Sequence, residues 1–348
     1  MSPCCWPRAD AFPARHPGRL DVSGPRVIVL SGGYSSERDV SLRSGEAVSR
    51  ALLARGHAVR RLDLMEVLPG GSLAPEAWLP DTDVVMLALH GSGGEDGLVQ
   101  GMLELAGMPY TGSAVLASAT AMDKGATKRV YRAAGLPVAP DLLVPARDVR
   151  DADPAVLVPK VGHDLGWPVV LKAVCQGSTH GIEVVRDPLD WARAWAVVAG
   201  YGEDVLVEAF VRGREFTVPV WGYPEPEALP IVEIVPRIAD YFTLEAKYQP
   251  GGADEIVPAV VAPEVAAMLA DLGVRAHRAL GCFGVSRTDV LVDADGRPFL
   301  LETNTVPGMT EGSLLPKALA AAGVGLGDFA ERMVHWALVR GTRRRVSR

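Results

Sequence analysis

Residues 287–310 read RTDVLVDADGRPFLLETNTVPGMT. Two runs of alternating apolar and polar residues flank Asp295-Gly296, and Pro307-Gly308 follows the second run. Asp-Gly is a strong signal for a two-residue hairpin turn, because both positions tolerate positive φ. A hairpin centred there pairs Ala294 with Arg297, and the same ladder sets Asp289 opposite Glu302 and Arg287 opposite Asn304. Side chains two apart on a strand share a face, so these four polar groups point the same way. Two carboxylates directly opposed repel and destabilise a bare sheet. A divalent cation removes that penalty. Oxygen donors from Asp289, Glu302 and Asn304 suit Mg²⁺, with Mn²⁺ as a possible substitute, and Mg²⁺ commonly binds nucleotide phosphates through one or two carboxylates. A single acidic pair would read as a solvated hairpin face; four polar groups at this spacing, ahead of Pro-Gly, favour a metal and phosphate site.

The rest of the chain can supply the core such a site needs. Its 348 residues are 48% hydrophobic and 22% charged, enough for two or three packed domains. The formal net charge of −7 offers no electrostatic footprint for nucleic acid. No run of 18 or more apolar residues suggests a membrane span. Cys4, Cys5, Cys175 and Cys282 match neither a zinc site nor a disulfide framework, which points to a reducing, cytoplasmic setting. Residues 1–24, rich in Pro, Arg and Ala, read as a disordered extension or a misassigned start. Only six of the 35 basic residues are lysine: 124, 128, 160, 172, 247 and 317. Where lysine persists against that bias, a compact point charge is favoured over a planar fork.

Arg26–Leu30 reads as a buried strand, followed by a loop and a helix over 41–55. Strands over 58–64 and 84–89 follow, then a glycine-rich loop and a helix over 98–106. This is an open parallel α/β unit, with its loops at the carboxyl ends of strands, where such sheets bind ligands. Asp123 caps a helix ending at Gly135. From about residue 167 the pattern turns to strands with one intervening helix, an α+β arrangement. A helix over 263–280 precedes the hairpin, and another covers 327–339. The fold class is therefore α/β plus α+β.

Four loops bear chemistry. Residues 31–38, SGGYSSER, join a strand to a helix without the Gly-x-Gly-x-x-Gly spacing of a dinucleotide fingerprint. Their glycines still let backbone approach a ligand, and Glu37 could hold an ammonium group. Residues 90–97, HGSGGEDG, hold four glycines, with His90 at a strand end. Residues 176–181, QGSTHG, follow Lys172 and could fold over a polyphosphate, though they are not a Walker A sequence. Residues 245–248, EAKY, place a lysine beside a tyrosine in a polar stretch that suggests a lid.

Together these strings resemble the D-alanine–D-alanine ligase family of ATP-grasp enzymes, from about Arg26 to Leu338. The matching segments are SGGYSSERDVSLRSG, LHGSGGEDGLVQGMLELAGMPYTGS, AMDKGATK, VVLKAVCQGSTHGI, EAFVRGREFTV, EAKY and the stretch from Arg287 to Lys317, all in the family's order. The resemblance implies a three-domain ATP-grasp architecture: an N-terminal open parallel α/β domain over 25–112, a central subdomain over 113–207, and a C-terminal subdomain over 208–342 with the metal and oxyanion site. A basic tail spans 343–348. It implies that ATP meets Lys124, Lys172 and Lys247 at its phosphates, and Glu208, Ala209, Val211 and Glu215 at adenine and ribose. It makes Asp289, Glu302 and Asn304 the Mg²⁺ ligands. Glu37, Ser178 and Tyr248 form a hydrogen-bonded set around the first D-alanine, with His90 beside it. Arg287 and the Gly308 amide form the oxyanion site, and Ser313 and Leu314 meet the second substrate's carboxylate. The implied reaction joins two D-alanines through an acyl phosphate, for peptidoglycan precursors, in a cytoplasmic homodimer.

The chain departs from the family pattern in places. Thr179 stands where a second serine is usual, His180 replaces an apolar residue, Ala173 replaces a proline, and Phe242-Thr243-Leu244 replaces Tyr-Asp-Tyr. The last change bears on lid packing and on choice of second substrate, for which D-serine and D-lactate are alternatives. A dipeptide ligase of secondary metabolism shares the same motifs. A dehydrogenase is disfavoured by the absent glycine fingerprint, and a non-catalytic ATP-binding module by the retained metal and oxyanion residues.

Overall fold

The computed structural model describes residues 24–67, 75–151, 153–177, 180–237 and 252–346. Residues 1–23, Ser178, Lys247 and Tyr248 lie outside them, with the stretch 242–245.

Strands β1 (Arg26–Ser31), β2 (Ala58–Asp63) and β3 (Val84–Leu87) form a parallel sheet in the order β2-β1-β3. Helix α1 (Arg38–Ala54) makes the crossover that a parallel pair requires. β1 and β3 are apolar on both sides because both sides are covered. Ile28, Leu30, Val85 and Leu87 pack with Val99 and Leu103 of α2 (Leu98–Leu105). Val27, Val29, Val84 and Met86 pack against Val48 and Leu52 of α1. The loops around Glu37 and His90 leave the carboxyl ends of β1 and β3, as expected for an open α/β sheet.

Helices α3 (Val115–Met122) and α4 (Lys124–Ala133) meet at Asp123. Its Oδ1 accepts from the Ala126 amide at 2.8 Å, the cap anticipated from sequence. Four antiparallel strands follow: β4 (Asp141–Val144), β5 (Val169–Ala173), β6 (Ile182–Val185) and β7 (Val205–Ala209), ordered β4-β7-β5-β6. Helix α5 (Trp191–Ala199) seals one face, where Trp191, Trp195 and Val198 pack on Val169, Leu171, Val205 and Val207. Strand alternation leaves Val170, Lys172 and Glu208 on the opposite face.

The last sheet contains β8 (Gly213–Gly222), β9 (Glu227–Ala228), β10 (Val232–Pro236), β11 (Ala253–Ile256), β12 (Gly284–Asp293) and β13 (Pro298–Asn304). Its main order is β11-β10-β8-β12-β13, with β9 on β8. Helix α6 (Pro263–Ala279) covers one face through Leu269, Leu272 and Ala276. Gly273 permits that approach, since a Cβ there would lie 2.5 Å from Val218. Helices α7 (Leu314–Ala321) and α8 (Leu326–Val346) complete the chain. Sequence reading grouped α8 with the last domain. It also packs on α1 and β3, and its Phe329, Met333 and Val334 share one core with Val27, Val29, Trp221 and Val285. The first and last sheets are thereby joined by a common apolar core.

Candidate active site

A cavity of about 800 Å³ lies between the uncovered faces of the two antiparallel sheets and reaches the loops of the first sheet. That is ample for a nucleotide-sized ligand by the usual range of roughly 300–1,000 Å³.

The hairpin supplies one wall, by a route the sequence did not suggest. The turn has three residues, not two: Asp293 and Arg297 close it, and Gly296 takes φ +78°. A longer turn shifts the ladder by one, so Val290 faces Leu300 and Leu291 faces Phe299. A β-bulge between Asp289 and Val290 then shifts it back. Asp289 faces Glu302 and Arg287 faces Asn304, the predicted pairs. The bulge also lets consecutive residues, Leu301 and Glu302, both line the cavity. On the reverse face Thr288 and Thr303 share a hydrogen bond at 2.6 Å, and Thr303 meets the Tyr131 hydroxyl of α4 at 2.6 Å.

The opposed carboxylates do not stand bare. Arg287 makes a bidentate pair with Asp289, Nε to Oδ1 at 3.1 Å and Nη2 to Oδ2 at 2.9 Å, and Thr217 donates to Asp289 as well. Lys124 Nζ lies 2.9 Å from Glu302 Oε2 and also donates to the Gln176 carbonyl at 2.6 Å. The repulsion that the sequence argument assigned to a metal is thus already offset by two side-chain cations. Burial would raise the Glu302 pKa, but Lys124 outweighs it and holds the group at about 2. Burial likewise opposes the charge on Arg287, which Asp289 more than restores. Among the described residues no cluster of three or more His, Cys, Asp or Glu side chains is placed to hold a metal. Two carboxylates and the Asn304 amide, whose Oδ1 accepts from the Val306 amide at 3.1 Å, form an all-oxygen set. Such a set fits Mg²⁺, which fills its remaining positions with water and phosphate oxygens.

The facing wall carries Lys172 and Glu208, which form an ion pair. Glu208 also takes Lys128, and the two lysines overcome burial and hold its carboxyl at about 2. Ala209, Val211 and Glu215 line the same end of the cavity.

At the other end the loops converge on Glu37. A Cβ on Gly177 would lie 2.9 Å from Glu37 Oε2, and one on Gly91 3.0 Å. Two glycines from different units therefore bring backbone against one carboxylate. His90 is buried, with Nε2 3.0 Å from the Ser44 hydroxyl, and that hydroxyl accepts from the Met309 amide at 3.2 Å. Gly308 packs on Ser313, where an added Cβ would lie 2.7 Å from Oγ. Ser313 and Leu314 line the cavity at the start of α7.

Glu95 was not singled out from sequence. It is buried; Oε2 accepts from the Gly91 amide at 2.7 Å and Oε1 from the Val306 amide at 3.1 Å. One carboxylate thus ties the glycine loop of the first sheet to the segment after the metal strand. Burial, then the charge on Glu37, push it up to about 8, against the pull of its two amide donors. The available signal was an acidic residue inside a glycine loop with no basic neighbour. Lys128 and Ser44 were also missed as contributors, because their partners are remote in sequence.

Comparison with known proteins gives matches over nearly the whole chain. The family described as D-ala D-ala ligase C-terminus matches residues 130–335, and that described as D-ala D-ala ligase N-terminus matches residues 66–113. The chain is 45% identical over 313 residues to a D-alanine–D-alanine ligase of Desulforudis audaxviator, covering 90% of this chain and 98% of that one. It is 41% identical over 321 residues to one of Pelotomaculum thermopropionicum, covering 92% and 99%. The fold is similar to the ligase of Bacillus anthracis complexed with ATP, with TM-score 0.78 and 28% identity over 92% of this chain and 100% of that one. For the ligase of Coxiella burnetii the values are 0.77 and 26%, over 92% and 96%.

Proposed function

The chain belongs to the D-alanine–D-alanine ligase family, and on that premise we propose how its residues divide the ATP-dependent joining of two D-alanines. The observation that carries the reading is the convergence of Glu37, Lys124, Lys172, Arg287, Glu302 and Gly308 on one cavity.

Glu37 holds the ammonium of the first D-alanine beneath Gly91 and Gly177, with His90 beside it. Glu208 and the Ala209 and Val211 backbones meet adenine, and Glu215 meets ribose. Lys124, Lys172 and Lys247 neutralise the phosphates. Asp289, Glu302 and Asn304 would hold Mg²⁺, which when bound would offset charge on the transferring phosphoryl group. A carboxylate oxygen of the first D-alanine attacks the γ-phosphorus, ADP leaves, and an acyl phosphate results. The amine of the second D-alanine, held through its carboxylate by Ser313 and Leu314, then attacks the acyl carbon. Arg287 and the Gly308 amide stabilise the tetrahedral oxyanion, a contribution worth about 10²–10³ in rate per donor. Collapse expels phosphate, and the attacking nitrogen gives one proton to solvent and keeps one as the peptide N–H. Ser178 and Tyr248, outside the described residues, take the role beside Glu37 that the family resemblance implies.

The domain limits follow the three sheets, at 25–112, 113–207 and 208–342, with α8 returning to the first. The enzyme works in the cytoplasm, where ATP is supplied, as a homodimer. No helix among the described residues is long and apolar enough to cross a membrane.

The test is Mg²⁺-dependent phosphate release from ATP across D-alanine, L-alanine, D-serine and D-lactate, with products weighed by mass spectrometry. D-Alanine should give D-alanyl-D-alanine. Equal turnover with L-alanine, or none with D-alanine, would defeat the reading. A depsipeptide product would reassign the second substrate to D-lactate.

A further inference from the structure

We propose that Lys128 is a positioning residue that fixes the Glu208 carboxylate as a hydrogen-bond acceptor, so that the site selects a nucleotide base bearing an exocyclic amine over one bearing a carbonyl at the same position. The inference rests on the reading above that Glu208 faces the base.

Lys128 lies one turn after Lys124 on α4, on the same helix face. The two lysines nevertheless differ in kind. Lys124 lines the cavity; Lys128 does not, and is only 1% exposed. An ammonium has three donors. Lys128 donates to Glu208 Oε1 and to the Ala139 carbonyl at 3.2 Å, and its Nζ forms an ion pair with Asp141 Oδ2 at 3.1 Å. Buried and outside the cavity lining, it does not reach a phosphate, so Lys128 acts through its neighbours.

Those neighbours form a second opposed acidic pair. Asp141 on β4 faces Glu208 on β7 across the antiparallel ladder, the same arrangement as Asp289 and Glu302. Bare, it too would repel. Here the bridging charge is Lys128, with Arg132 on the outer side of Asp141. Glu208 therefore has an inner oxygen on a buried lysine and an outer oxygen on Lys172, which does line the cavity. Lys172 can turn to an incoming phosphate. Lys128, buried behind the cavity wall and paired with two carboxylates, cannot follow. Glu208 then keeps one fixed cation and presents Oε2 as an acceptor. An acceptor-only carboxylate pairs with an amine and repels a carbonyl oxygen.

The experiment compares ATP with inosine triphosphate, whose base carries a carbonyl where adenine carries its amine, in D-alanine-dependent phosphate release. Lys128→Met is paired with Lys128→Met/Asp141→Asn, which removes one charge of each sign and so guards against simple unfolding. Glu208→Gln is run beside them, and thermal melting checks that each variant folds. The folded double variant should lose at least tenfold of the ATP preference in kcat/KM, mainly through KM for ATP. An ATP preference within twofold of the parent's, or an equal KM rise for both nucleotides, would overturn the positioning role. Glu208→Gln separates the two readings. If it abolishes the preference while the double variant keeps it, only the role of Lys128 falls. If it too leaves the preference intact, Glu208 does not face the base, and both readings fall.

Discussion

Glu302 carries the charge of Lys124, and this changes what its loss should do. Carboxylate repulsion alone would make Glu302→Gln neutral or favourable for stability. Because Glu302 pairs with Lys124, the substitution leaves a buried lysine without its counter-charge. Lys124 has an 8% exposed side chain and Glu302 a 35% exposed one, so the expected cost is about 1–2 kcal/mol, below the 3–5 kcal/mol of a fully buried pair. The sign of the pH effect follows. Glu302 titrates at about 2 in the fold against an ordinary 4.5. Its contribution is present above pH 4.5 and is lost as pH falls toward 2. Urea unfolding should therefore separate parent and variant at pH 7 and show the gap narrowing from pH 4.5 and closing at about pH 2 or below. Turnover should fall by more than the roughly 10–100-fold typical of an outer-shell change at a metal site; near-normal turnover at low Mg²⁺ would remove Glu302 from the metal set. Gly177→Ala tests the other end of the cavity. Its Cβ would crowd Glu37 Oε2 at 2.9 Å, so KM for the first D-alanine should rise about tenfold or more, the scale of one lost charged hydrogen bond. KM for ATP should change less than KM for the first D-alanine. An unchanged KM would show that the ammonium binds elsewhere.

The hairpin and the α6–β12 joint show the same logic between elements. Bulge and turn each displace the ladder by one residue in opposite senses, so the predicted facing pairs arise from two features that cancel. The turn depends on Gly296 at positive φ; the bulge depends on the polar and apolar demands of two faces. Thr288, Thr303 and Tyr131 bind the back of the hairpin to α4, the helix that carries Lys124. At the other joint His277 of α6 meets Ser286 of β12, Nδ1 to Oγ at 2.8 Å, and burial pushes the imidazole down to about 4. The folded chain therefore favours neutral His277. Full stability is present above the ordinary pKa near 6.5 and is lost as pH falls from 6.5 to 4. The loss is about 3 kcal/mol from this one group. His277→Gln keeps a polar partner for Ser286 and does not titrate. Its melting temperature should decline less between pH 7 and 4 than the parent's. Parallel decline in the two proteins would mean that other groups dominate acid sensitivity.

At the scale of the molecule, α8 joins the first and last sheets into one body. Phe329, Met333, Val334 and Ala337 are buried at 2% exposure or less. Losing each such side chain costs about 2–5 kcal/mol for the larger ones, and several together exceed the roughly 5–15 kcal/mol that holds a typical domain. Truncation before Leu326 should therefore abolish cooperative melting and expose apolar surface to a hydrophobic dye, instead of yielding a slightly weakened enzyme. A sharp transition within a few degrees of the parent's would show that the first sheet holds without its C-terminal cover.

What the sequence determined by itself was local chemistry: the strand and helix periods, the Asp123 cap, the glycine loops, and a facing set of Arg287, Asp289, Glu302 and Asn304. These are legible because a two-residue or 3.6-residue period and a turn residue act over a few positions. Strands β4, β10 and β11 were not legible, since a proline ends each or lies within two residues of it and reads as a loop signal. Tertiary structure alone decided which charges meet. Lys124 pairs with Glu302, Lys128 with Asp141 and Glu208, and Glu95 with an amide 211 residues away. Such pairings have no short-range signature, because they follow from how separate sheets pack, and packing is driven by non-directional burial of apolar surface. The polar partners are then fixed by the cost of leaving any buried charge alone.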